Sequence, residues 1–283
     1  MKLFPVNAGY FKLDGGAMHG VVPKSLWEKY NAPDSNNMCN WATRCLLIDT
    51  GDKRILIDNG MGDKQSDKFF GYYDLNGNDS LESSLKTHGY HPDDITDNWL
   101  SHLHFDHCGG GVKWNKDRTG YVPMFKNAQY HTHKRQWDWA LNPNAREKAS
   151  FLKENLLPMQ EFGQLNFITD GSQLDANISF ELVFGHTEAM MIPKIKIGDK
   201  TVLYMADLCP SVAHLRIAWV MGYDIRPLDT MTERQRILQE AAENNYILVF
   251  EHDAVNECCT LKTTERGVAV DQIFTLKEAG LSS

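Results

Sequence analysis

Three imidazoles and a carboxylate fall within the segment Ser101-His102-Leu103-His104-Phe105-Asp106-His107, and this cluster constrains the fold more than any other stretch of the chain. Imidazole and carboxylate are the donors that hold borderline divalent metals such as zinc. Asn98-Trp99-Leu100 reads as the end of a buried strand. An alternating His-x-His leaving that strand sends two rings to the same side, because strand side chains alternate with period two. Asp106 and His107 then sit where the chain turns away, and Cys108-Gly109-Gly110-Gly111 follows with residues that permit tight turns and close backbone approach. Four polar groups at the tip of an apolar strand are costly to bury without a shared task. The segment therefore predicts a metal site on a strand-ending loop.

A catalytic zinc usually takes three protein ligands and keeps a position for water, so further donors are expected elsewhere in the chain. Three candidates share one pattern, an apolar run followed by a ligand type. His186 comes after Ile178-Ser179-Phe180-Glu181-Leu182-Val183, Asp207 after Val202-Leu203-Tyr204-Met205-Ala206, and His252 after Tyr246-Ile247-Leu248-Val249-Phe250-Glu251.

Taken in order, these residues resemble the metallo-β-lactamase-fold hydrolase superfamily. The family's His-x-His-x-Asp-His motif falls on His102, His104, Asp106 and His107, its Gly-His-Thr on His186, its bridging aspartate on Asp207 and its final histidine on His252. The resemblance implies an α/β protein built as an αββα sandwich of two mixed sheets flanked by helices. It also implies two divalent ions, zinc first, with iron, manganese and cobalt served by the same donors. His102, His104 and His186 would hold one ion, and Asp106, His107 and His252 the other. Asp207 would bridge them. A shared hydroxide would be the nucleophile, with Asp106 and Asp207 the catalytic carboxylates. Asp58, in Ile57-Asp58-Asn59-Gly60, occupies a position expected to accept a hydrogen bond from a ligand histidine.

The stretch after Asp207 resembles the branch containing N-acyl-homoserine lactonases and methyl-parathion-type organophosphate hydrolases. The expected activity is opening of lactones, in the manner of a quorum-quenching enzyme, or cleavage of esters. Phosphotriester or aryl-ester hydrolysis is the alternative, and a non-hydrolytic di-iron redox protein ranks below both. Some lactonases carry a tyrosine three residues past the bridging aspartate, whereas this chain has Pro210. The segment Gly15 to Pro23 reads as a flexible, largely apolar loop ahead of Trp27. Candidate substrate contacts are Met18, Val21, Trp27, His214 and Tyr223.

The remaining composition narrows the partners. A chain of 283 residues with 42% apolar content can bury a large core and is read as one domain, residues 1–283. A formal charge of −8 without a clustered basic face argues against nucleic acid or an anionic membrane as partner. A small lactone or ester is the expected partner, with a homodimer left open. No run approaches the roughly 20 apolar residues of a membrane span, and no leader-like apolar segment opens the chain, so a cytoplasmic location is expected. Six irregularly spaced cysteines read as reduced thiols, Cys108 and Cys209 as small buried hydrophobes.

Apolar runs predict strands at 44–49, 54–58, 97–100, 178–183, 194–197, 202–205 and 246–250, with helices at 80–88, 134–140 and 232–244. A second His-x-His, His131-Thr132-His133, lacks an adjoining acid or glycine turn and reads as an exposed strand end. The segment 63–79 reads as a surface loop.

Overall fold

The computed structural model describes residues Met1–Ser282. They sort into two compact units, one formed by Met1–Tyr10, Thr43–Ser172 and the chain end from Leu281, the other by Phe11–Ala42 and Gln173–Gly280.

Eight strands belong to the N-terminal part of the chain: β1 (Lys2–Asp14), β2 (Met38–Asp49), β3 (Arg54–Ile57), β4 (Asp97–Trp99), β5 (Val112–Trp114), β6 (Tyr121–Pro123), β7 (Gln129–His133) and β8 (Leu165–Ile168). Six of them form a mixed sheet in the order β1-β2-β3-β4-β7-β8, and β5 and β6 pair separately. Strands β3, β4, β7 and β8 are parallel, so their C-terminal ends share one edge. Residues that leave those ends therefore collect together, as ligand loops do in parallel sheets. The support beneath is a buried cluster including Leu47, Leu56, Leu100, Leu103, Cys108, Tyr130 and Trp137. Truncating such a residue costs about 2 to 5 kcal/mol, so the loop after β4 stands on a stiff base.

The second sheet contains β9 (Ile178–Val183), β10 (Met190–Ile197), β11 (Lys200–Tyr204), β12 (Ile247–Val249), β13 (Cys258–Thr264) and β14 (Gly267–Phe274), in the order β14-β13-β12-β11-β10-β9. β11 and β12 are parallel, and β9 and β11 each run antiparallel to β10. Hence β9, β11 and β12 all point the same way and deliver their C-terminal residues to one edge. The helix Pro227–Glu243 packs on β13 and β14. It buries Thr230, Arg234, Ile237, Leu238 and Ala241, a stripe at helical spacing. It starts earlier than its apolar stripe suggests, with Pro227 in its first turn and no side-chain cap to signal the start.

Several expectations need correction. Gly15–His19 and Lys24–Trp27 form short helices, and Asp14 caps the first through Ala17, so this stretch is not a flexible loop. His131 and His133 are buried, because their rings meet Asp97 and Asp170. Within 63–79, Lys64 is buried and Asp67–Phe70 is helical. The helices expected at 80–88 and 134–140 form at Leu81–Thr87, with a Ser80–Ser83 capping box, and at Lys134–Leu141.

Candidate metal centre

The loop after β4 is built by close approach. A Cβ on Gly109 would lie 2.1 Å from the Met61 carbonyl oxygen and one on Gly110 would lie 2.1 Å from that of Asn59, so only glycine lets the loop dock on the exit of β3. Asn59 N–H donates to the His107 carbonyl and Gly110 N–H to that of Gly60, both at 2.9 Å. Asp58, just before Asn59, has φ 56°, a left-handed backbone that a non-glycine residue adopts only when its surroundings hold it there.

Those surroundings are the ligand loop itself. Asp58 Oδ1 accepts from Ser101 N–H at 2.7 Å, and Oδ2 accepts from the Ser101 hydroxyl at 2.6 Å and lies 3.1 Å from His107 Nδ1. Since the serine's single proton goes to Asp58, the Ser101 oxygen 3.1 Å from His102 Nδ1 can only accept from that ring. His102 Nε2 is then left with a lone pair. His104 is oriented likewise: its Nε2 lies 3.4 Å from the Glu147 carboxylate, so its Nδ1 carries the lone pair. These two bare nitrogens, His102 Nε2 and His104 Nδ1, face each other at 3.1 Å. Two acceptors at that distance repel unless a cation or a proton lies between them. His107 presents Nε2 toward Asp106, 3.8 Å from its Oδ2.

The second unit repeats this logic with different elements. His186 follows β9, Asp207 follows β11, and His252 follows β12. His252 Nδ1 lies 2.7 Å from the Ala42 carbonyl oxygen, which cannot donate, so Nδ1 carries the proton. The lone pair on Nε2 then faces Asp207 Oδ1 at 3.1 Å. His186 Nδ1 is taken by Asp224 at 2.9 Å, and its Nε2 faces Asp207 Oδ2 at 3.0 Å. Burial alone would lower the His186 pKa, but the Asp207 and Asp224 carboxylates outweigh it and raise it to about 10. Positive charge is thus favoured between His186 and Asp207. Ala206, just before the carboxylate, is held at φ 40°. Arg234 donates to the Leu208 carbonyl just after it at 2.9 Å.

Each of the five histidines spends one nitrogen on an outer partner and turns the other toward a neighbouring histidine or aspartate, the arrangement that metal-ligating imidazoles require. The donor chemistry therefore fits borderline divalent cations. Cys108 and Cys209 are buried and free of disulfides, and burial pushes both thiols up to about 12, so they stay protonated and packed. Sequence reasoning singled out Asp58 among the outer partners but missed Ser101, Glu147, Asp224 and the Ala42 carbonyl. Ser101 abuts the motif and was open to view; the others carry no local signal.

The proposed substrate contacts divide. Met18, Trp27 and His214 lie in the interior of the second unit. His19 stacks on Trp27 and His214 with centroids at 5.1 and 4.8 Å, and His214 is held by Ser211 and the Met18 carbonyl. Val21 and Tyr223 reach solvent, at 92% and 39% exposure.

The geometry thus defines a mixed α/β protein with two large sheets, whose strand ends carry histidine and aspartate donors suited to divalent metals. A family model described as the metallo-beta-lactamase superfamily matches residues 40–252, well over half the chain, and the chain belongs to that superfamily. Its overall course matches a probable metal-dependent hydrolase from Staphylococcus aureus, at 27% identity and a TM-score of 0.88 over 96% of both chains. AidC, a dizinc quorum-quenching lactonase in complex with a product, superposes with a TM-score of 0.77 over 95% of this chain and 93% of that one, at 23% identity. Among curated relatives, an N-acyl homoserine lactonase of Bacillus cereus is 26% identical over 167 residues, 56% of each chain. The chain spans about half the length of the curated relatives it matches.

Proposed function

We propose that this protein is a binuclear metal-dependent hydrolase whose substrates are lactones of the N-acyl homoserine type or related carboxylic esters. The observation that carries the reading is the forced tautomer of His252, whose bare nitrogen faces a carboxylate oxygen at 3.1 Å, together with the equivalent facing of His102 and His104 at the same separation. Both arrangements ask for a cation. In the family's ligand order, His102, His104 and His186 would hold one ion and Asp106, His107 and His252 the other, with Asp207 shared. When bound, a pair of divalent ions lowers the pKa of water toward neutrality and polarises an acyl oxygen.

The chain's own residues do the rest. Asp58 fixes His107 directly and His102 through Ser101, while Asp224 and the Ala42 carbonyl fix His186 and His252. Asp106 accepts the proton released when water adds to the acyl carbon. It delivers that proton to the ring oxygen as the C–O bond breaks, leaving the open hydroxy acid. The names of the curated relatives support a lactone over a phosphotriester. Val21 and Tyr223, which reach solvent, are the contacts to test first; among the described residues no helix is long and apolar enough to cross a membrane.

The deciding experiment follows proton release from a medium-chain acyl-homoserine lactone by zinc-loaded protein, beside an aryl phosphotriester at equal concentration. Lactone opening that a chelator abolishes supports the proposal. Turnover of the triester with none of the lactone overturns the substrate assignment.

A further inference from the structure

We infer that Glu147 is a positioning residue that selects which nitrogen of His104 is offered as a ligand, an inference that rests on the metal-binding reading above. Glu147 is buried at 3% exposure, on a turn beyond the helix Lys134–Leu141 and far in sequence from the ligand motif. Its carboxylate meets three donor groups: Trp139 Nε1 at 2.8 Å and Asn144 Nδ2 on one oxygen, and His104 Nε2 at 3.4 Å on the other. A carboxylate that accepts from Trp139 and Asn144 acts as an acceptor toward His104 too, so His104 donates from Nε2 and keeps the lone pair on Nδ1. Nδ1 is the atom that meets His102 Nε2.

The same turn grips the ligand loop twice more. Phe105 N–H donates to the Ser150 carbonyl at 2.9 Å, and the Phe151 ring lies 4.8 Å from the His104 ring. Asn144 holds the turn by accepting from the N–H groups of Arg146 and Glu147 at 2.8 and 3.1 Å. A neutral amide cannot replace the acid cleanly, because a glutamine has one oxygen for three donors. Its charge also raises the basicity of the imidazole it supports.

The test uses the full chain in metal-free and zinc-loaded forms. Long-range proton–nitrogen NMR reads the His104 tautomer, and competition against a chromophoric chelator reads the affinity of each ion. With Glu147 acting as inferred, wild-type His104 carries its proton on Nε2. Glu147→Ala mixes the tautomers in the metal-free protein and weakens one ion about 10- to 100-fold, leaving the other near its wild-type affinity. Glu147→Gln, nearly isosteric and so a guard against misfolding, falls between. Wild-type affinity and an unchanged tautomer in both variants overturn the inference. His104→Ala separates the two levels: if it still holds two ions at full affinity, the ligand assignment itself fails.

Discussion

The two units solve one chemical problem with opposite economies of sequence. In the first unit four donors are packed into one loop, and a single buried carboxylate, Asp58, orients two of its histidines. In the second, three donors come from three strand ends, and each histidine has its own outer acceptor, Asp224 for His186 and a main-chain carbonyl for His252. Density on one loop lets one anchor serve several ligands; dispersal over a sheet edge demands an anchor for each. The first unit should therefore be more vulnerable at its anchor, and the second more tolerant.

The harshest way to break that comparison is to delete a proposed ligand from each unit. His102→Ala and His186→Ala should each remove metal and lower kcat/KM by roughly a thousandfold, about 4 kcal/mol of barrier at the usual conversion. Metal content by mass spectrometry, read beside the kinetics, would overturn the assignment of that histidine as a ligand if either variant kept two ions and full rate. Asp207→Ala should reduce the affinity of both ions.

Anchors give a smaller effect and a sharper contrast. Asp58→Asn should weaken metal binding about 100-fold, whereas Asp224→Asn, which disturbs one histidine, should cost about 10-fold. Equal losses in a chelator competition would dissolve the distinction drawn above.

Acid and base should separate the units as well. In the second unit burial lowers His19 to about 4, against the hydrogen bond to Asn31. The unfolded chain takes up that proton near pH 6.5 and the folded one only near 4, so stability falls as pH drops through this window, by about 2 to 3 kcal/mol. Denaturant titrations of wild type and His19→Phe at pH 7 and 4.5 should differ by that amount. In the first unit burial lowers Lys64 to about 8, so the folded chain loses this proton before the unfolded chain does near 10.5. Stability should rise over that interval, and Lys64→Met should flatten the rise. The smallest change is remote from both ligand sets: Ser80→Ala removes a helix cap worth about 1 kcal/mol, visible in the melting temperature and silent in metal affinity.

Legibility followed the same divide. The strand at Ile178–Val183 was open to periodicity because Ile178, Phe180 and Leu182 alternate with polar residues, and the helix after His133 because Trp137 and Ala140 recur at helical spacing. β1 was missed although it runs from Lys2 to Asp14, since its apolar and polar residues alternate irregularly. β13 and β14 were missed because Lys262, Thr263, Thr264 and Asp271 place polar side chains on a largely exposed pair. His131 was misread as exposed for a related reason: the aspartate that buries it, Asp97, is a neighbour only across the sheet.

Sequence by itself determined the donor chemistry of this protein, because residue type and spacing at strand ends decide which side chains leave together. Only the tertiary structure decided which nitrogen each histidine offers. That choice is made by acceptors such as Ala42 for His252, Asp224 for His186 and Glu147 for His104. A hydrogen bond's direction depends on what stands opposite in space, and chain order carries no record of that.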